Sequence, residues 1–202
     1  MRPGTIIVIA ATAALGATPC VAGDPVVFDF VTVADPDAPA DPDTGFGRVP
    51  YAYRIATTEV TVGQYLAFLN AAAVDDADGL YVTRMFNTPP GIEQRGPAGG
   101  RSYALRPGAD PDVPMTLIDV LQAMRFVNWL HNGQGAQGTP EGATGSGAYA
   151  VSDGVSEERE PGARYFIPSE NDGYKAAYYQ SPDDGGEPDG FWHELAFEFA
   201  LR

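Results

Sequence analysis

Val113–Gly133 reads VPMTLIDVLQAMRFVNWLHNG, and the rest of the chain is organised around it. Pro114 is followed by Thr116, whose hydroxyl can accept from the backbone N–H of Asp119; a carboxylate at Asp119 suits the positive end of a helix. From Leu117 to Leu130 the polar exceptions are Asp119, Gln122, Arg125 and Asn128. They share no single face, so the pattern predicts a helix buried nearly all round. Asn132-Gly133 supplies its stop, because both residues tolerate a left-handed backbone.

Upstream, Val26–Val33 (VVFDFVTV) and Tyr51–Ile55 (YAYRI) are rich in β-branched and aromatic residues and predict strands. A second helix starts at Val62. Thr61 is its cap, Gln64 completes a capping box, and Val62, Tyr65, Leu66, Leu69 and Ala72 form one apolar face. Glu59 closes the preceding strand end. Between Asp75 and Pro114 glycine and proline are frequent and the pattern predicts a long irregular region, with Tyr81 and Met85 as loop anchors.

Downstream, Gly133–Gly147 (GQGAQGTPEGATGSG) has the composition of a flexible linker. Ala148–Val151 and Arg164–Ile167 predict short strands around a charged loop, Ser152–Gly162. Ser169 caps a third helix whose first turn carries Glu170 and Asp172, with Tyr174, Ala177 and Tyr178 on one face. Gly173 interrupts that helix. Ser181–Gly190 is an acidic turn, and His193–Arg202 an apolar, aromatic close.

The 202 residues suffice for one domain with a sizeable core. Arg2, the apolar run Ile6–Leu15 and the small residues after it read as an export leader over 1–23, cut after Ala22 or Gly23, ahead of one domain over 24–202. The run is shorter than the ~20 residues that span a bilayer. Cys20 would serve a lipoprotein, but Thr18-Pro19 is a poor lipidation box. The reading places the protein outside the cytoplasm, in a periplasm or an extracellular medium, with no membrane span once the leader is removed. Formal net charge is −15, which repels a phosphate backbone and argues against nucleic acid.

Cys20 is the single cysteine, so a processed chain would hold no disulfide, no thiolate nucleophile and no cysteine metal ligand. His131 and His193 have no zinc-ligand spacing, and His131 suits the negative end of its helix. Nucleophile elbows and phosphate-binding glycine loops are absent. Asp35, Asp37, Asp41 and Asp43 in the loop Asp35–Gly45 invite a calcium reading, but the spacing lacks the EF-hand glycine and glutamate, which favours a solvated turn. Glu157-Glu158 and Asp183-Asp184 read as solubilising pairs. These residues by themselves indicate an exported, acidic α+β domain, with no catalytic, cofactor-binding or metal-binding residue assigned.

The order of five segments goes further. TTEVTVGQYLAFLNA (Thr57–Ala71), Gly79–Ile92 with its GLY, Met85 and GI, VPMTLIDVLQAMRFVNWLHNGQ (Val113–Gln134), EGATGSGAYAV (Glu141–Val151) and YFIPSENDGYKAAYY (Tyr165–Tyr179) follow one another. In that order they resemble the formylglycine-generating enzyme, or sulfatase-modifying factor, family, its exported bacterial branch above all. The resemblance implies a C-type-lectin-like α+β fold with two or three helices, short strands and much irregular chain. It also implies bound calcium and a copper centre on two cysteines that oxidises a sulfatase cysteine to formylglycine.

Three departures qualify it. Gly173 stands where the family usually has tryptophan, removing a core contact. Leu117-Ile118 replaces a polar-aromatic pair. The chain stops at Arg202, ahead of the family's GNvwEW segment, calcium ligands and copper cysteines. The expectation is a partial family domain without oxidase activity, acting on an unknown protein or glycan partner, with self-association through faces left uncovered. Two alternatives stand beside it: the front half of a split or frameshifted oxidase, and a calcium-dependent lectin-like module.

Overall fold

A computed structural model describes residues 9–11, 25–36, 38–87, 89–152, 156–181 and 190–191. The leader cleavage point, Cys20, Asp37, Asp183-Asp184, His193 and the closing stretch 192–202 lie outside the described residues.

Among the described residues the architecture is mixed α+β, with three α-helices and small antiparallel sheets. Strands β1 (Ala10–Ala11), β2 (Phe30–Val33), β3 (Tyr53–Ala56) and β6 (Tyr165–Phe166) form one sheet in the order β2-β3-β1-β6. β4 (Ile92–Arg95) and β5 (Ser102–Leu105) form a separate hairpin. The helices are α1 (Val62–Ala72), α2 (Val120–Asn132) and α3 (Glu170–Tyr178).

The core forms where α1 meets α2. Phe68 lies 5.2 Å from the ring of Phe126 and 5.3 Å from that of Trp129, and Tyr65 packs 5.4 Å from Phe68. Burying each such ring contributes roughly 2–3 kcal/mol, and each edge-on ring pair about 1 kcal/mol more. The two helix entries are tied together: Val62 N donates to Val113 O at 2.9 Å and Met115 N to Val60 O at 2.8 Å. Among the described residues no helix is long and apolar enough to cross a membrane.

The central stretch differs from its expected form in two respects. Leu117 takes φ +65°, which turns the chain, and Asp119 rather than Thr116 caps α2 in a capping box with Gln122. The polar exceptions do not mark the wet side either. Gln122 and Asn128 are buried, whereas Val120 and Leu121 are the exposed residues of the first turn. Buried amides serve as clamps: Gln122 Nε2 donates to Gly79 O at 2.7 Å, and Asn128 bonds Thr144 and Tyr149.

Elsewhere, capping at Thr61 and Ser169 is as expected, both as full capping boxes. The region 75–114 holds the β4–β5 hairpin, and Met85 is fully buried there. Ala148–Val151 is irregular chain rather than a strand. The glycine-rich stretch after α2 is a packed loop rather than a linker. Gly135 N donates to Glu141 O at 2.9 Å, Gln137 N to Ala71 O at 2.7 Å, and Trp129 Nε1 to Gly135 O at 2.9 Å. Its glycines answer close backbone approach: a Cβ on Gly142 would stand 2.0 Å from Ala136 O.

The run Ile6–Leu15 contributes the strand β1. Ile9, Ala10 and Ala11 are fully buried, and Ala10–Ala11 pair antiparallel with β3 on one side and β6 on the other.

Candidate functional site

The sheet edge at β6 and the start of α3 enclose a cavity of about 460 Å³, lined among others by Tyr51, Met124, Glu158, Arg159, Phe166 and Asp172. Its floor is set by the α3 cap. The Asp172 side chain, at the third position of the helix, turns back to accept from Ser169 N at 2.9 Å and Ser169 Oγ at 2.7 Å. Its other oxygen accepts from Tyr51 Oη at 2.9 Å, and the Asp172 carbonyl accepts from Tyr53 Oη. One residue therefore ties the helix start to Tyr51 and to Tyr53 of β3, and Asp172 is nearly inaccessible at 2% exposure. The first-turn charge expected at Asp172 is also a buried acceptor.

Arg159 closes the other wall. Its guanidinium carbon lies 4.0 Å from the centroid of Phe166 and 4.9 Å from that of Tyr51, a cation held over two aromatic faces. Glu157 and Glu158, read from sequence as solubilising, line the same cavity.

Burial is the main cause that pushes the Tyr51 and Tyr53 phenols above their ordinary value, and the Asp172 carboxylate adds to it in both. Both rings are therefore neutral donors at physiological pH. The cavity offers a permanent cation, the carboxylates of Glu157 and Glu158, aromatic faces and hydroxyl groups, while the Asp172 carboxylate in its floor already accepts three hydrogen bonds. Such a set can meet a ligand through charge and stacking.

A second, apolar hollow of about 590 Å³ lies across Ile167–Ser169, lined by Ile55, Ala56, Gly173, Ala176 and Ala177. A Cβ on Gly173 would meet nothing within 4 Å.

The aspartate loop is anchored at Asp41, while residues 42–45 stay exposed as the turn reading expects. Asp41 is fully buried; it accepts from Asp43 N at 2.8 Å and Thr44 Oγ1 at 3.0 Å, and Tyr174 Oη donates to it from α3. Asp35 sends its carbonyl to Lys175 Nζ at 2.5 Å. Among the described residues no group of three or more His, Cys, Asp or Glu side chains is placed to hold a metal ion.

His131 is also not the helix-end cation that its position suggests. Its Nδ1 accepts from Arg164 N at 3.0 Å, and burial, with the Arg164 charge, lowers its pKa. Arg159 and Asp172 escape a reading of the sequence because their partner Tyr51 lies more than a hundred residues away. The Ser169-to-Asp172 spacing was the one available signal, and it announces a cap.

Comparison with known protein families, characterised proteins and solved structures gives no match to this chain.

Proposed function

We propose that this chain is an exported domain of the sulfatase-modifying-factor type that binds a partner and performs no oxidase chemistry. The donor set carries the reading. Copper(I) calls for soft thiolate ligands, the family's centre takes two, and the sequence contains one cysteine, Cys20. A two-thiolate copper centre does not fit the side chains this chain has. The Tyr51–Arg159–Asp172 cavity supports the binding half of the reading, since its groups are arranged to recognise rather than to react.

The test is oxygen uptake by the purified chain with copper and a cysteine-containing peptide. The expected rate equals that of copper and peptide alone. Protein-dependent uptake above that rate overturns the reading.

A further inference from the structure

The cavity beside the start of α3 holds donors that the protein does not use up. Tyr149 lines it and is only 3% exposed. Its Oη accepts from Ile167 N at 2.9 Å, and among the described residues no acceptor meets its hydroxyl proton. Burial raises the pKa of this phenol, so the proton stays on at neutral pH. A buried donor without an acceptor is costly. One that faces a cavity calls for an acceptor on the molecule that enters.

Arg159 adds a charged fork. Its guanidinium is fixed over the Phe166 and Tyr51 rings and stands beside the Tyr51 hydroxyl. The same charge acts on the Tyr149 phenol, so the two donors serve one region of the cavity. The ion pairs among the described residues are Arg95–Glu93, Arg101–Asp76 and Arg125–Asp78, and none of them takes Arg159. A planar guanidinium held in place presents paired N–H groups that match a carboxylate.

Charge and size narrow the ligand further. Glu157 and Glu158 line the cavity and are exposed. In a chain of net charge −15 they repel a multiply charged anion and attract a cation. Met124, Ile167 and Pro168 supply an apolar wall. The volume of about 460 Å³ suits a small molecule.

We propose that this cavity binds an apolar amino acid as its zwitterion. The carboxylate lies on Arg159 and Tyr149, the ammonium faces Glu157 and Glu158, and the side chain rests against Met124, Ile167 and Pro168. The proposal names a ligand for the binding half of the reading above and rests on that half.

Equilibrium dialysis of the full chain against radiolabelled L-phenylalanine tests it, and one saturable site per chain is expected. Phenylalanine amide lacks the carboxylate, and N-acetyl-phenylalanine lacks the ammonium. Each is expected to compete at least about tenfold more weakly than phenylalanine, roughly what one charged hydrogen bond contributes. Inorganic phosphate is expected not to compete. Arg159→Gln is expected to lower the affinity by a similar factor with the near-ultraviolet circular dichroism unchanged. The double variant Glu157→Gln/Glu158→Gln, on the exposed rim, is expected to weaken phenylalanine binding and leave N-acetyl-phenylalanine binding as it was, a split that general loss of structure would not give.

No saturable uptake by the folded wild-type chain at millimolar phenylalanine overturns the proposal. So does either derivative binding as tightly as phenylalanine, displacement by phosphate, a folded Arg159→Gln variant that binds like wild type, or a double variant that weakens both ligands alike or neither. Oxygen is not measured here, so failure of this site is distinguishable from failure of the reading that excludes oxidase chemistry.

Discussion

Asn128 and Tyr149 are locked to each other through a single side-chain amide. Asn128 Nδ2 donates to Tyr149 O at 3.0 Å, while Tyr149 N donates to Asn128 Oδ1 at 2.8 Å. The same Nδ2 donates to Thr144 O at 2.9 Å, so α2 holds two points of the loop that follows it. Asn128 is fully buried. Asn128→Ala strands one N–H and two carbonyl groups away from water, and a loss of about 3 kcal/mol is expected. Urea unfolding checks this: the midpoint should fall with the slope unchanged. A variant within 0.5 kcal/mol of wild type, roughly the scatter of surface substitutions, would show that the clamp is not formed.

His131 makes stability depend on pH in a stated direction. Burial first, and the Arg164 charge second, hold its folded-state pKa below the ordinary 6.5. As pH falls, the unfolded chain takes the proton before the folded one does. Stability attached to this residue is thus intact above about pH 6.5 and is lost as pH drops from there through the folded value. His131→Asn keeps a side-chain acceptor but does not titrate. The wild type should lose stability faster than this variant on acidification below pH 6.5, measured by urea midpoints across pH. Parallel curves would contradict the assignment.

Gly142 separates a packed loop from a flexible one. A Cβ there meets Ala136 O at 2.0 Å and Ala136 C at 2.5 Å, whereas Gly138, in the same loop at φ +87°, has open space around it. Gly142→Ala should cost more than about 2 kcal/mol because backbone must move. Gly138→Ala should cost about 1 kcal/mol of left-handed strain. Thermal melts of the pair decide it, since a true linker would tolerate both equally.

Gly173 offers a gain. It sits inside α3 with nothing within 4 Å of an added Cβ. Gly173→Ala should stabilise the protein by up to about 1 kcal/mol by relieving the glycine penalty in a helix. A lower melting temperature for this variant would mean that the apolar hollow beside it is filled.

Local chemistry was legible in the sequence and distant pairing was not. The box at Thr61/Gln64 and the cap at Ser169 are local signals and both are present as expected; Asp172, expected only as first-turn charge, closes a box with Ser169 as well. The α2 cap was misplaced because Leu117 takes a left-handed conformation that branched apolar residues seldom adopt. The β4–β5 hairpin was hidden in a glycine-rich region because Ile92–Arg95 is largely polar and the turn over 96–101 carries no Asn-Gly signal. The polar positions of α2 were read as interruptions of an apolar helix, whereas Gln122 and Asn128 bind loop backbone that no local window contains. The cavity joins Tyr51 to Arg159 and Asp172, and spacing along the chain says nothing of that.

The placement of Ala10–Ala11 between β3 and β6 also sets an order of events. Ala10–Ala11 have as one neighbour Tyr165–Phe166, more than 150 residues further along the chain. The helical pair Val62–Ala72 and Val120–Asn132 can assemble beforehand, but the sheet waits for nearly the whole polypeptide. Its closure joins ends far apart in sequence, which is the slow kind of contact to make. Refolding should therefore show helical signal before sheet protection, with Ala10–Ala11 the last to become protected.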